Sequence, residues 1–222
     1  TELPLTSFLV QTTIPYFYAD PPTEIFKDGE TQVWKITHNG VDTHFIHFHL
    51  FTVQLINRVG WDGAIKPPDA NELGWKDTVR MNPLEDVIVA MKPMQQSLPW
   101  DLPNSIRPLD VTQPVGYVST MTFTNVDPTS VPAPVQNDLT NFGWEYVWHC
   151  HILGHEENDM MRALVLAVPP HAPSFLVANK SGPGQLTFSW TDNSLNETGF
   201  TVQSAPSAGG PWTTLKTVPG MA

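Results

Sequence analysis

"WEYVWHCHILGHEENDMM", residues 144–161, places three histidines, the only cysteine of the chain and two methionines in a run that opens like a β-strand and closes like an acidic loop. Tryptophan, tyrosine and valine favour extended backbone, and successive side chains of a strand point to opposite faces. Over 144–151, Trp144, Tyr146, Trp148 and Cys150 then share one face, and Val147, His149 and His151 share the other. The run "THFIHFHLF" (43–51) has the same parity, with His47 and His49 two apart on one face and His44 on the opposite one. Laid side by side, two such strands offer His44 with Cys150 on one side and His47, His49, His149 and His151 on the other.

Working outward, short apolar or alternating runs recur between turn residues: "TQVWKIT" (31–37), "HFIHFHLFTVQLI" (44–56), "DVIVAM" (86–91), "STMTFTN" (119–125) and "ALVLAV" (163–168). Many short strands separated by turns read as a sandwich or barrel. Twenty-two prolines and fourteen glycines argue against long helices. The fold class expected is therefore all-β. The connections at 57–76 and 92–117, rich in Pro, Asn and Asp, are expected to be loops over the ends of the sandwich. At "PPHAPS" (169–174) the texture changes, which divides the chain into a first domain at 1–168, a linker at 169–174 and a second segment at 175–222. Eleven basic against twenty-two acidic residues give a net charge of −11, which repels nucleic-acid phosphates and anionic membranes. No stretch has the roughly 20 consecutive apolar residues of a membrane helix, and Thr1 to Val10 lacks the basic start and apolar core of an export signal.

One cysteine cannot form an internal disulfide, so Cys150 is a buried residue, a ligand or a reactive thiol. His44, Cys150 and His155 supply two imidazoles and a thiolate, and Met160 a thioether. A trigonal His₂Cys set with a weak axial methionine is the ligand set of a blue-copper electron-transfer centre. The four imidazoles of His47, His49, His149 and His151 suit copper, zinc, iron or nickel, and alone leave that choice open. His38 and His171 stand apart from both groups. Met81, Met91 and Met94 are expected to fill gaps in the core, as methionine commonly does.

Taken together, "HFIHFH", "WKDTV" (75–79) and "HCHILGHEENDMM" resemble the C-terminal cupredoxin domain of a multicopper oxidase, the family of laccases, copper efflux oxidases and large bacterial manganese oxidases. The resemblance covers roughly residues 20–168 and implies a cupredoxin-like Greek-key β-sandwich. It implies His44, Cys150 and His155 as type 1 copper ligands with Met160 axial, His47 as a type 2 ligand, and His49, His149 and His151 as type 3 ligands. The remaining four histidines of such a trinuclear cluster come from another cupredoxin domain of the same full-length chain or of a neighbouring subunit, so this chain holds half a cluster and is expected to be inactive alone. Electrons from a small reductant, Mn(II), Fe(II), Cu(I) or a phenol, would pass through Cys150 to His149 and His151 and reduce dioxygen to water, with Glu156 as a proton relay. Such enzymes act outside the cytosol, which implies an extracellular or periplasmic location. The alternatives are a blue-copper electron carrier without oxidase activity, which has no use for the second group of histidines, a copper nitrite reductase, against which His151 argues, and a metal-free fragment whose fibronectin-like tail serves adhesion or spacing. Phe45 and Leu50 depart from the family, which often has proline and glycine there. The tail at 184–218 resembles the front half of a fibronectin type III module, with Trp190 as its core tryptophan.

Overall fold

The structure, a computed structural model, describes residues 3–4, 10–11, 16–94, 98–118 and 134–220. The strand expected at 119–125 lies outside the described residues. Two compact units emerge, one of Thr1–Gln96 with Ser105–Ala167 and one of Ser97–Asn104 with Val168–Ala222.

The first unit is built on two sheets. One orders β3 (Glu24–Lys27), β13 (Met161–Ala167), β12 (Trp144–Cys150), β5 (His44–Phe48) and β8 (Thr78–Met81), with β3 parallel to β13 and every other pair antiparallel. The other orders β4 (Gln32–His38), β9 (Glu85–Pro93), β6 (Phe51–Gly60) and β7 (Ile65–Lys66), all antiparallel. Two short pairs, β1 (Leu3–Pro4) with β2 (Val10–Gln11) and β10 (Ile106–Pro108) with β11 (Leu139–Asn141), are the other strands among the described residues of the unit. Burial along β9 alternates with period two, as a strand with one face on a core requires.

Aromatic rings join the sheets face to face. Phe26 of β3 lies 4.4 Å from Phe51 of β6, and Trp34 of β4 meets Trp148 of β12 edge-on at 5.4 Å. Phe48 stacks parallel to Trp148 at 6.0 Å. Such ring pairs add about 0.5–1.5 kcal/mol beyond the area they bury. Met81 and Met91 are buried in this core as expected, whereas Met94 is half exposed.

The run 44–56, read from sequence as one strand, is two. The chain leaves one sheet after Phe48 and enters the other at Phe51, turning at Leu50 with a φ of 70°. That left-handed conformation is costly for a branched side chain and free for glycine, so the departure at Leu50 falls where the backbone itself favours glycine.

The second unit contains two hairpins, β14 (Ser174–Gly182) with β15 (Gln185–Thr191) and β16 (Gly199–Ser204) with β17 (Thr213–Pro219). The expected linker is one residue shorter than read, because Ser174 already pairs with Thr191. Trp190 packs against Phe200 at 5.2 Å between ring centres. Among the described residues no helix is long and apolar enough to cross a membrane.

Candidate metal centre

β12 and β5 are the scaffold of the site. Their antiparallel register sets His149 opposite His47, Cys150 opposite Ile46 and Trp148 opposite Phe48. The ladder extends past both strand ends, since His151 N–H donates to the Phe45 carbonyl and His49 N–H to the Val147 carbonyl. Alternation then divides the side chains. His44 and Cys150 fall on one face, and His47, His49, His149 and His151 fall on the other.

On the first face the loop after β12 brings in the third donor. A single helical turn, α1 (Leu153–Glu156), bends the chain back so that His155 reaches Cys150. Cys150 N–H donates to the Met160 carbonyl and Met160 N–H to the His155 carbonyl, both at 3.0 Å, which ties the loop to the strand end. His44 Nδ1 and His155 Nδ1 lie 3.0 Å apart, each 3.5 Å from Cys150 Sγ. Cys150 is fully buried. Met160 lines a cavity of roughly 200 Å³ together with Cys150 and Trp148, and stands over a third exposed.

On the second face the tautomers follow from the partners. His47 Nδ1 faces the Asp77 carbonyl at 3.0 Å and Thr78 Oγ1 at 3.1 Å, and the Thr78 hydroxyl itself donates to Asp77 Oδ1. A carbonyl only accepts, so Nδ1 carries the proton and Nε2 keeps its lone pair. His149 Nδ1 lies 3.1 Å from the Cys150 carbonyl and 3.2 Å from Glu156 Oε2, which fixes the same tautomer. Its Nε2 is 3.0 Å from His49 Nε2. The donor atoms of His47, His49 and His149 all lie within 4.8 Å of one another. His151 is brought alongside, its ring 5.5 Å from that of His47 and 5.8 Å from that of His149, outside the tight group.

Both clusters crowd nitrogen lone pairs that repel unless a proton or a cation sits between them. Burial holds the His44 imidazolium below its usual range, reinforced by His38 and His155. His49 is lowered by burial and by His47 and His149. Neutral rings are what a cation requires. A first-row ion such as zinc takes about 2.0 Å to imidazole and about 2.3 Å to thiolate, which the spacing of Cys150, His44 and His155 accommodates. The soft thiolate and two imidazoles of this triad suit copper, so the residues present fit that ion.

Sequence reasoning missed three contributors. Asp77 and Thr78 orient His47, and the run "WKDTV" that contains them was their signal. His38, read as isolated, is buried with its ring stacked on His44 at 4.8 Å, a correction that no periodicity could supply because the two are joined by an irregular turn. His171 lies 3.3 Å from Asp101 in the second unit.

The family model described as multicopper oxidase matches residues 9–102. This chain is related to the multicopper oxidases. It is 26% identical over 190 residues to a laccase of Haloferax volcanii, covering 84% of this chain and 24% of that protein. A laccase of Bacillus subtilis is 28% identical over 163 residues, covering 68% of this chain and 23% of its own length. A solved multicopper oxidase from Campylobacter jejuni, described as a metallo-oxidase, aligns with a TM-score of 0.41 at 18% identity over 69% of this chain and 22% of that one. The chain thus spans about a quarter of the multicopper oxidases it matches.

Proposed function

We propose that this chain is the C-terminal cupredoxin domain of a larger, bacterial, laccase-like multicopper oxidase, with a fibronectin type III-like segment after it. The observation that carries the reading is the triangle of Cys150 Sγ, His44 Nδ1 and His155 Nδ1, backed across the same two strands by His47, His49 and His149. Cys150, His44 and His155 would hold a type 1 copper with Met160 axial, and His47, His49, His149 and His151 half of a type 2/type 3 cluster completed by another cupredoxin domain. Copper in those places supplies one-electron redox chemistry, which couples a small reductant, a phenol or Mn(II), Fe(II) or Cu(I), to reduction of dioxygen to water.

The chain's own residues set the conditions for that chemistry. Cys150, lying beside His149 in sequence, joins the two sites through covalent bonds. Cys150 is itself fully buried, which keeps the thiolate from bulk water, and half-buried Trp148 lines the cavity beside it. Glu156 Oε2, near His149 Nδ1, holds an acid within reach of the second site, where dioxygen reduction consumes protons. Half a cluster makes the isolated chain inactive toward dioxygen. The acidic surface and extracytoplasmic location belong to the same proposal.

Titrating the metal-free chain with Cu(II) tests the reading. An intense visible thiolate-to-copper band, absent in Cys150→Ser, is expected. A protein that binds copper with no such band refutes the assignment of Cys150.

A further inference from the structure

The turn between β4 and β5, "HNGVDTH" (38–44), carries a second histidine that the ligand set does not use. His38 is 7% exposed, and both of its ring nitrogens are committed to the turn itself. The Gly40 amide lies 3.0 Å from Nδ1 and the Asp42 carbonyl 2.6 Å from Nε2. An amide N–H only donates and a carbonyl only accepts, so His38 is a neutral ring with its proton on Nε2. Gly40 passes close to that ring. A Cβ at residue 40 would stand 3.0 Å from His38 Cε1, tighter than ordinary contact. The ring so fastened lies against His44, with centres 4.8 Å apart and planes inclined by 29°. His155 also meets His44, edge-on at 4.8 Å.

We propose that His38 is a positioning residue for the Cys150 site: clamped by Gly40 and Asp42, it is the wall that fixes the ring plane of His44 and so directs Nδ1 at Cys150 Sγ. His38 is not one of the three grouped donors, His44, Cys150 and His155. It acts through a ring-on-ring contact instead of the usual hydrogen bond to a ligand's second nitrogen. Removing a hydrogen-bonded outer partner of a ligand changes metal affinity by about 10–100-fold, which sets the scale against which this ring contact is tested. The inference rests on the reading of His44 as a metal ligand.

Three variants of the full chain separate the clamp from the wall. His38→Gln keeps a donor and an acceptor for the turn and removes the ring. His38→Phe keeps a ring and removes both hydrogen bonds. Gly40→Ala leaves His38 in place and forces its ring to shift. Co(II) and Cu(II) are titrated into each, and nitrogen-15 and carbon-13 spectra of the histidine rings are recorded without metal. In the wild type His38 shows the Nε2–H tautomer. His38→Gln, with a melting temperature near that of the wild type, is expected to lose about tenfold in Co(II) affinity and to shift the thiolate band. His38→Phe retains more of the affinity than His38→Gln, and Gly40→Ala moves the metal-free His44 ring resonances. A His38→Gln protein with affinity within twofold of the wild type and an unmoved band overturns the proposal, as does an Nδ1–H tautomer at His38. If the wild type gives no thiolate band at all, the copper reading fails instead. The metal-free His44 ring resonances then decide the positioning role, supporting it if they shift in His38→Gln and overturning it if they do not.

Discussion

Cys150 occupies a fully buried position with two imidazole nitrogens at 3.5 Å, so its replacement tests two properties at once. Serine is nearly isosteric but a hard, weakly acidic donor, and in Cys150→Ser the visible band is expected to vanish. Without metal the variant should lose only about 1–2 kcal/mol, the usual cost of a buried hydroxyl with imperfect partners, measured by urea denaturation. A loss of 4 kcal/mol or more would mean that Cys150 serves packing more than ligation. Leu50 supplies the second residue-scale expectation. Its φ of 70° costs a β-branched residue most, so Leu50→Val should destabilise the chain by about 1–2 kcal/mol. Leu50→Gly should stay within about 1 kcal/mol of the parent, relieved strain offsetting lost burial and added chain entropy. Equal stability of the two variants would contradict the strain at this turn. At this scale the sequence was readable wherever strand parity governed, as for His47 and His149. It was silent on His38, whose neighbour His44 is reached through a turn with no repeating geometry.

β12 links the metal face to the far end of the unit through Glu145. Its carboxylate accepts from the Tyr18 hydroxyl at 2.9 Å, from Ser105 Oγ at 2.7 Å and from the Arg107 guanidinium. Burial alone would raise the Glu145 pKa, but the bonds from Arg107, Ser105 and Tyr18 outweigh it and hold the group below its ordinary value. A folded-state pKa below the unfolded one adds stability that is complete above the unfolded value, about 4.3, and is lost as pH falls through the folded value. Wild-type stability should therefore fall steeply on acidification below about pH 4.3, with a shallower slope in Glu145→Gln. At pH 7 that variant should be about 1–3 kcal/mol weaker, because Arg107 loses its charged partner. Identical acid slopes from denaturant melts at several pH values would remove Glu145 from the account. Element existence was legible here, because "WEYVWHC" has the composition and alternation of a strand. The break of 44–56 into β5 and β6 was not, since "HFIHFHLFTVQLI" stays apolar across it and only the departure from glycine at Leu50 marks the crossing.

Across the whole molecule the two units differ in what they bury. The buried hydrophobic residues run from Phe26 to Leu166, all in the first unit, and among the described residues of the second unit only Ser194 is buried. Phe175, Leu176 and Leu186 stand more than half exposed on β14 and β15. At about 25 cal/mol per Å² of apolar area removed from water, strands with so little covered gain little to oppose their conformational entropy. Local opening free energy follows such burial, so amides of β14 to β17 should exchange with solvent well before those of β12, β9 and β6. The composition change at "PPHAPS" announced the boundary, but the thin burial beyond it could not be read from "GQLTFSWT", whose pattern of apolar residues is that of a strand with a core to face. Limited proteolysis should accordingly cut first between residues 168 and 222 and leave the copper-thiolate band of the remaining fragment intact, because every donor of the Cys150 triad lies in the first unit. Hydrogen exchange read by mass spectrometry checks the first expectation, and the absorption spectrum of the trimmed protein checks the second. Protection in β14 to β17 equal to that in β12 would show a covered face where these strands lie open, and a band lost on trimming would make the second unit a structural requirement of the metal site.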